Sequence, residues 1–149
     1  MQGAEGTRER VVRSWIESAR DDLAWADLGA DAENLRGVAQ IGFHAQQAVE
    51  KLLEAVLASY DVVPEEHHDL ARLLAQVRLL DRETADALHG VAKLTPYASQ
   101  YRYPPRPGRA SHGLKKADVL RDLETARAAC ATLEIVLESR LSALSREPG

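Results

Sequence analysis

The stretch from Asn34 to Tyr60 constrains the fold more than any other. Val38, Ile41, Ala45, Ala48, Leu52 and Ala55 recur at helical steps and form one stripe of mostly small residues. Val49, Leu53, Val56 and Tyr60 form a second stripe beside it, leaving Gln40, His44, Gln47, Lys51 and Glu54 as a narrow polar edge. A helix apolar around so much of its circumference belongs at the centre of a bundle. The pattern predicts a helix over about 34–60, with one stripe inside its own bundle and the other free for a partner chain.

The rest of the chain is organised around that helix. Val12, Trp15, Ala19, Leu23 and Ala26 define one face of a helix over about 8–29, with Trp25 off the stripe. Pro64 with Glu65 and Glu66 marks a connection. A shorter helix follows, with Leu70, Leu73, Leu74, Val77 and Leu80 inward, and a further short one over 82–94 is weakened by Gly90. The last helix, over about 116–144, turns Leu123, Ala126, Cys130, Leu133, Leu137, Leu141 and Leu144 to the core. Nothing reads as a strand. The expected fold is all-α: an antiparallel up-and-down bundle of four main helices plus a short fifth, with a long Pro/Tyr/Arg loop before the last. The 149 residues read as one domain, with residues 1–7 and 145–149 expected to fray.

Several function classes are excluded at this level. The net charge of −4 gives no global attraction to nucleic acid. One cysteine permits neither an internal disulfide nor a multi-cysteine metal site. No apolar run approaches a membrane span, and the polar N-terminus lacks a signal sequence, so the expectation is a cytoplasmic protein without membrane contact. His67 and His68 are adjacent and would splay on a helix, so no metal is expected; His68-Asp69 reads better as a helix start. Cys130, on a core face, reads as a small buried hydrophobe.

Residues 95–112 do not read as scaffold. Pro96, Pro104, Pro105, Pro107 and Gly108 make a loop of unusual length, and it holds Tyr97, Tyr101 and Tyr103, three of the four tyrosines. From Ala87 to Ala117 there is no acidic residue, whereas Lys93, Arg102, Arg106, Arg109, Lys115 and Lys116 contribute six cations; the remainder of the chain therefore carries −10. Such a split favours an anionic ligand or partner. Arginines offer forks for phosphate and tyrosines offer faces for bases. Two alternatives stay open: Arg102 and Tyr103 pin the loop to the bundle while the cations answer acids on the long helices, or the loop is disordered. Gln46, Gln47, Glu50 and Lys51 similarly form either a hydrogen-bonding surface or a solvated face with Gln47 beside Lys51.

Four segments, in this order, carry a resemblance. Trp15, Ala19, Asp22, Leu23 and Ala26 make W-x3-A-x2-DL-x2-A. Residues 43–51 read FHAQQAVEK; His68-Asp69-Leu70 opens the third helix; Tyr101-Arg102-Tyr103-Pro104 stands in the loop. Over about residues 12–140 the chain resembles the HEPN domain family (higher eukaryotes and prokaryotes nucleotide-binding). The resemblance implies a helical bundle that commonly forms a homodimer and is paired with a minimal nucleotidyltransferase encoded beside it. The family includes toxin halves of toxin–antitoxin pairs, several of them metal-independent RNases, and members proposed to bind nucleotides without turnover. Carried onto this chain, the motif positions are Gln47, Glu50, Lys51, His68, Asp69, Arg102, Tyr103 and Pro104.

The RNase branch carries Arg-x4–6-His, usually with a polar residue after the arginine. Arg106 with His112 and Arg82 with His89 match the spacing, but composition alone yields roughly 1.5 matches, and Arg106 is followed by Pro107-Gly108. Proteins of the Tyr-Arg-Tyr-Pro type typically lack the catalytic pair. Three readings follow. The leading one is a non-catalytic, cofactor-free protein that binds a nucleotide or RNA phosphate through Arg102, Tyr103, Tyr101 and Arg109 with the motif residues of the second and third helices. The alternative is an RNase toxin with His112 as base and Arg106 on the phosphate. The third is a pure protein-interaction module.

Overall fold

The computed structural model describes residues 2–34, 37–108 and 112–146. Every regular element among them is helical: α1 (Gln2–Asp31), α2 (Ala39–Ser59), α3 (Leu70–Leu80), α4 (Arg82–Ala87), a 3-10 segment (Val91–Ala98) and α5 (Lys116–Leu144). The chain is all-α, as the periodicity requires.

Helix α2 is the centre. It packs against α1, α3, α5 and the 3-10 segment, and thirteen of its twenty-one residues are buried. Val49, Leu53 and Val56 are as inaccessible as Ala45, Ala48 and Leu52. Both apolar stripes are thus consumed within one chain, and the stripe expected to await a partner is not available: elements close over α2 on more sides than a four-helix bundle would need.

Cross-helix pairs fix how the long helices run. Lys51 reaches Ser18 at 2.8 Å and His44 stacks on Trp25, so later residues of α1 meet earlier ones of α2. Arg20 pairs with Glu134 at 2.7 Å and Arg127 with Asp27 at 3.0 Å, which gives the same opposed sense to α1 and α5. Helix α1 is therefore antiparallel to both. Arg140 closes the other end, donating to the Ser59 carbonyl at 2.9 Å with its guanidinium 3.6 Å from the Tyr60 ring.

Boundaries differ from the sequence reading where local chemistry decides. Helix α1 starts at Gln2, six residues before Arg8, so residues 2–7 are helical; the Thr7 hydroxyl donates to the Gly3 carbonyl, and Arg13 pairs with Glu9 one turn on. Helix α2 starts at Ala39, after Gly37 and without a side-chain cap, and residues 35 and 36 lie outside the described residues. The expected helix over 82–94 is broken. Helix α4 stops at Ala87; Gly90, two residues past its Leu88 C-cap, adopts φ +89°, a left-handed conformation, and the chain resumes as the 3-10 segment through Pro96. That segment takes 95–98 out of the expected loop. Leu80 is 37% exposed rather than inward. The face of α5 is as expected, with Val119 and Ala129 added.

Tyr97 is not a loop aromatic but a core residue. Its ring lies on α2 at Gly42, where a Cβ would sit 2.2 Å from it, and its hydroxyl donates to Asp122 of α5 at 2.6 Å. Burial and that carboxylate push the phenol well above its ordinary pKa. Gly42 thus permits the 3-10 segment to sit against the central helix. Gly42→Ala should cost about 1–3 kcal/mol through overpacking, lowering Tm by several degrees. Gly3→Ala, with open space around the added Cβ, should not lower it. Thermal unfolding of the two variants checks this.

Candidate functional site

Two polar sets lie along α2, the first between α2 and α1. Lys51 donates to the Ser18 hydroxyl and, at 2.5 Å, to Asp22, which is largely buried. His44, about two turns earlier on α2, donates from Nδ1 to the other Asp22 oxygen at 2.9 Å; a carboxylate only accepts, so the proton sits on Nδ1. Two of the three ammonium protons of Lys51 are thereby occupied. Separating a pair this buried would be costly.

The second set joins α2 to the start of α3. Glu50 is only 4% exposed. One of its oxygens accepts from His68 Nδ1 at 2.8 Å; the other accepts from Gln46 at 2.9 Å and Gln47 at 2.8 Å. Gln47 also donates to the side-chain amide oxygen of Gln46, Oε1, at 2.7 Å. A buried carboxylate is tolerable only with such complete pairing. Among the described residues no buried side-chain nitrogen or oxygen lacks a partner. Asp69 caps α3, accepting from the Ala71 amide at 2.9 Å, which is the helix start that His68-Asp69 predicts.

The loop forms a different kind of site. Tyr101 meets Tyr97 at 5.5 Å and His112 edge-on at 5.6 Å. His112 Nε2 donates to the Tyr103 carbonyl at 2.5 Å, and among the described residues its Nδ1 has no hydrogen-bond partner. The Arg102 guanidinium lies 5.0 Å from the Phe43 ring of α2 and 5.7 Å from the Tyr103 ring. A pocket of about 670 Å³ is lined by Ser99, Gln100, Tyr103, Pro104, Pro105, Arg106 and His112. Lys93 pairs with Asp122 at 3.2 Å. Among the described residues, Arg102, Arg106, Lys115 and Lys116 form no ion pair with a carboxylate. Arg109 lies outside the described residues.

The structure therefore joins Gln47, Glu50 and His68 in one network and Lys51 with Asp22 in another. Asp69 stands apart as a helix cap. Tyr101, Arg102, Tyr103, Arg106 and His112 gather in the loop, and Phe43 links that loop to α2. Ser18, His44 and Phe43 were not picked out as site residues, and Asp22 was seen only as a motif position. The remaining nucleophile is inert: burial pushes the Cys130 thiol up to about 12. No group of three or more His, Cys, Asp or Glu among the described residues is placed to hold a metal ion.

Glu54, one turn beyond Glu50, was missed as a titrating group. Burial pushes its carboxyl up to about 7; Glu50 adds in the same direction, while His68 and Lys51 oppose it. A carboxyl with a folded pKa above its unfolded one binds more protons when folded, so stability falls as pH rises from about 4.5 to about 7. Glu54→Gln should raise Tm relative to the parent at pH 8 and leave it nearly unchanged at pH 4.5. An equal shift at both values would contradict this account.

Comparison with known proteins places the chain. No curated protein and no solved structure gives a significant match. The family model described as the HEPN domain matches residues 12–144, from the first core residue of α1 to the last of α5. The match takes in both α2 networks and the loop, and this chain belongs to the HEPN domain family.

Proposed function

We propose that this chain is a non-catalytic HEPN protein that binds the phosphate of a nucleotide or RNA at its proline-rich loop. It would act beside a minimal nucleotidyltransferase in a toxin–antitoxin-like pair. The observation that carries the binding is the set of cations without carboxylate partners among the described residues, Arg102, Arg106, Lys115 and Lys116, in a segment with no acidic residue; one of them, Arg106, lines a pocket of nucleotide size. Had these cations served only to pin the loop, acids of α1, α2 or α5 would answer them, as Asp122 answers Lys93. Guanidinium forks grip phosphate oxygens in pairs, and the exposed Tyr103 ring offers a base a stacking face. The nucleotidyltransferase partner is supported by family membership. A homodimer, equally a family trait, would have to use exposed apolar residues outside the α2 stripes, such as Leu28 or Ile135. The test is thermal unfolding with ATP, AMP and a short single-stranded RNA. Ligand at about a hundred times its Kd should stabilise the fold by about 2.7 kcal/mol, several degrees for a chain this size, and Arg102→Ala should lose most of that shift. No shift with any ligand would overturn the reading.

One observation favours a second reading, metal-independent RNA cleavage: Arg106 and His112 line the same pocket. His112 would take the ribose 2′-hydroxyl proton through Nδ1, since Nε2 is held by the Tyr103 carbonyl, and Arg106 would stabilise the phosphate charge. This predicts cleavage that persists in EDTA and is abolished by His112→Ala with Tm retained. Cleavage surviving the substitution would eliminate it.

A further inference from the structure

We infer that the surface running from the loop across α2 to α1 is a stacking track for single-stranded nucleic acid several nucleotides long. The inference deepens the phosphate-binding reading and rests on it. Trp25 and Tyr103, at the two ends, are each 62% exposed. Between them the contacts are continuous. The Trp25 ring stacks on His44 at 6.4 Å with 27° between planes, and His44 meets Phe43 edge-on at 5.5 Å. The Arg102 guanidinium lies 5.0 Å from Phe43 and 5.7 Å from Tyr103. Each step lies within the range of ring–ring or cation–ring contact, and three elements distant in sequence supply them.

The order of groups argues for nucleic acid over protein. A protein-docking face also gathers aromatic rings and arginine, but it depletes other charges at its centre and places them at the rim. Here a guanidinium without a carboxylate partner lies inside the row, between two rings, where a strand would present a phosphate between bases. At the α1 end Asp22, the carboxylate that touches the row at His44, is already paired with Lys51. That end therefore contributes stacking without phosphate contact, while the loop supplies the charge. With stacked nucleotides rising about 3.4 Å each, the row accommodates on the order of five.

The experiment is fluorescence anisotropy with labelled oligoadenylates from the dimer to the octamer, alongside thermal-shift titration of AMP. Affinity should climb with length up to about the hexamer. Trp25→Ala should weaken hexamer binding about tenfold, with the dimer, AMP and the salt dependence unchanged because no phosphate contact is lost. Leu28→Ala, an equally exposed apolar residue one turn away, should leave the hexamer unaffected. If AMP binds but the hexamer binds no tighter than the dimer, or if Trp25→Ala leaves the hexamer unchanged, the track is overturned and the phosphate site stands. If neither AMP nor any oligoadenylate binds, both fall. If Trp25→Ala spares the hexamer and abolishes binding of a nucleotidyltransferase, the face is a protein interface and the track is overturned.

Discussion

Burying α2 on both stripes has a consequence for every polar group it carries. The helix is enclosed by α1, α3, α5 and the 3-10 segment, yet it bears Gln46, Gln47, Glu50 and Lys51, and beyond them the half-covered Glu54, along its covered or half-covered sides. The buried members, Gln46 and Glu50, cannot turn to bulk water and must be answered by neighbours, and the half-covered Lys51 is answered too. Glu50 is answered by Gln46, Gln47 and His68; Lys51 is answered by Ser18 and Asp22. These answers decide where α1 and α3 sit. The ion pair at Asp22 fixes the rotation and height of α1 on α2, and His68 on Glu50 brings in the start of α3 immediately before its Asp69 cap.

The same constraint places the loop. Tyr97 reaches α2 only because residue 42 has no Cβ, and its hydroxyl is held from the opposite side by α5. With that ring fixed, Tyr101 lies against it, and the segment that follows comes out over the α2 end that carries Phe43. Among the described residues, Arg102 and Arg106 are thereby held without an ion pair to the acids that bind the long helices together. Charge separation along the sequence thus becomes charge separation in space, which is the condition for attracting an anion to a chain of net negative charge.

The legible part of the fold was the part written in helical periodicity. The faces of α1, α2 and α5 recur at three- and four-residue steps, and burial alone selects them. The break at Gly90 was not legible, because a glycine inside a helical pattern is usually tolerated and only the left-handed backbone shows that this one is not. Nor was the fate of the second α2 stripe, since spacing reveals that a face is apolar but not which chain covers it. In the candidate site, Glu50, Gln47, Lys51 and His68 stood out through their motif, whereas their partners did not. Asp22 lies twenty-nine residues from Lys51, and no local pattern links them. Tyr97 was misread for a related reason: proline-rich surroundings suggest an exposed ring, and only a glycine on a distant helix makes room for a buried one.

Motif residues and ligand-contacting residues need not be the same. The most specific string in the sequence, residues 43–51, places most of its polar atoms in contact with other side chains of the bundle. For Lys51 to grip a phosphate with its full charge it would have to leave Asp22, and Glu50 cannot approach an anion at all. What that string supplies instead is a rigid platform. Phe43 and His44, its first two residues, are partly open, as are Gln47 and Lys51, and it is Phe43 and His44 that meet Arg102 and Trp25. In the proposed track, recognition falls to groups whose geometry is fixed from beneath by the network, an arrangement in which little ordering is left to be done when a ligand binds.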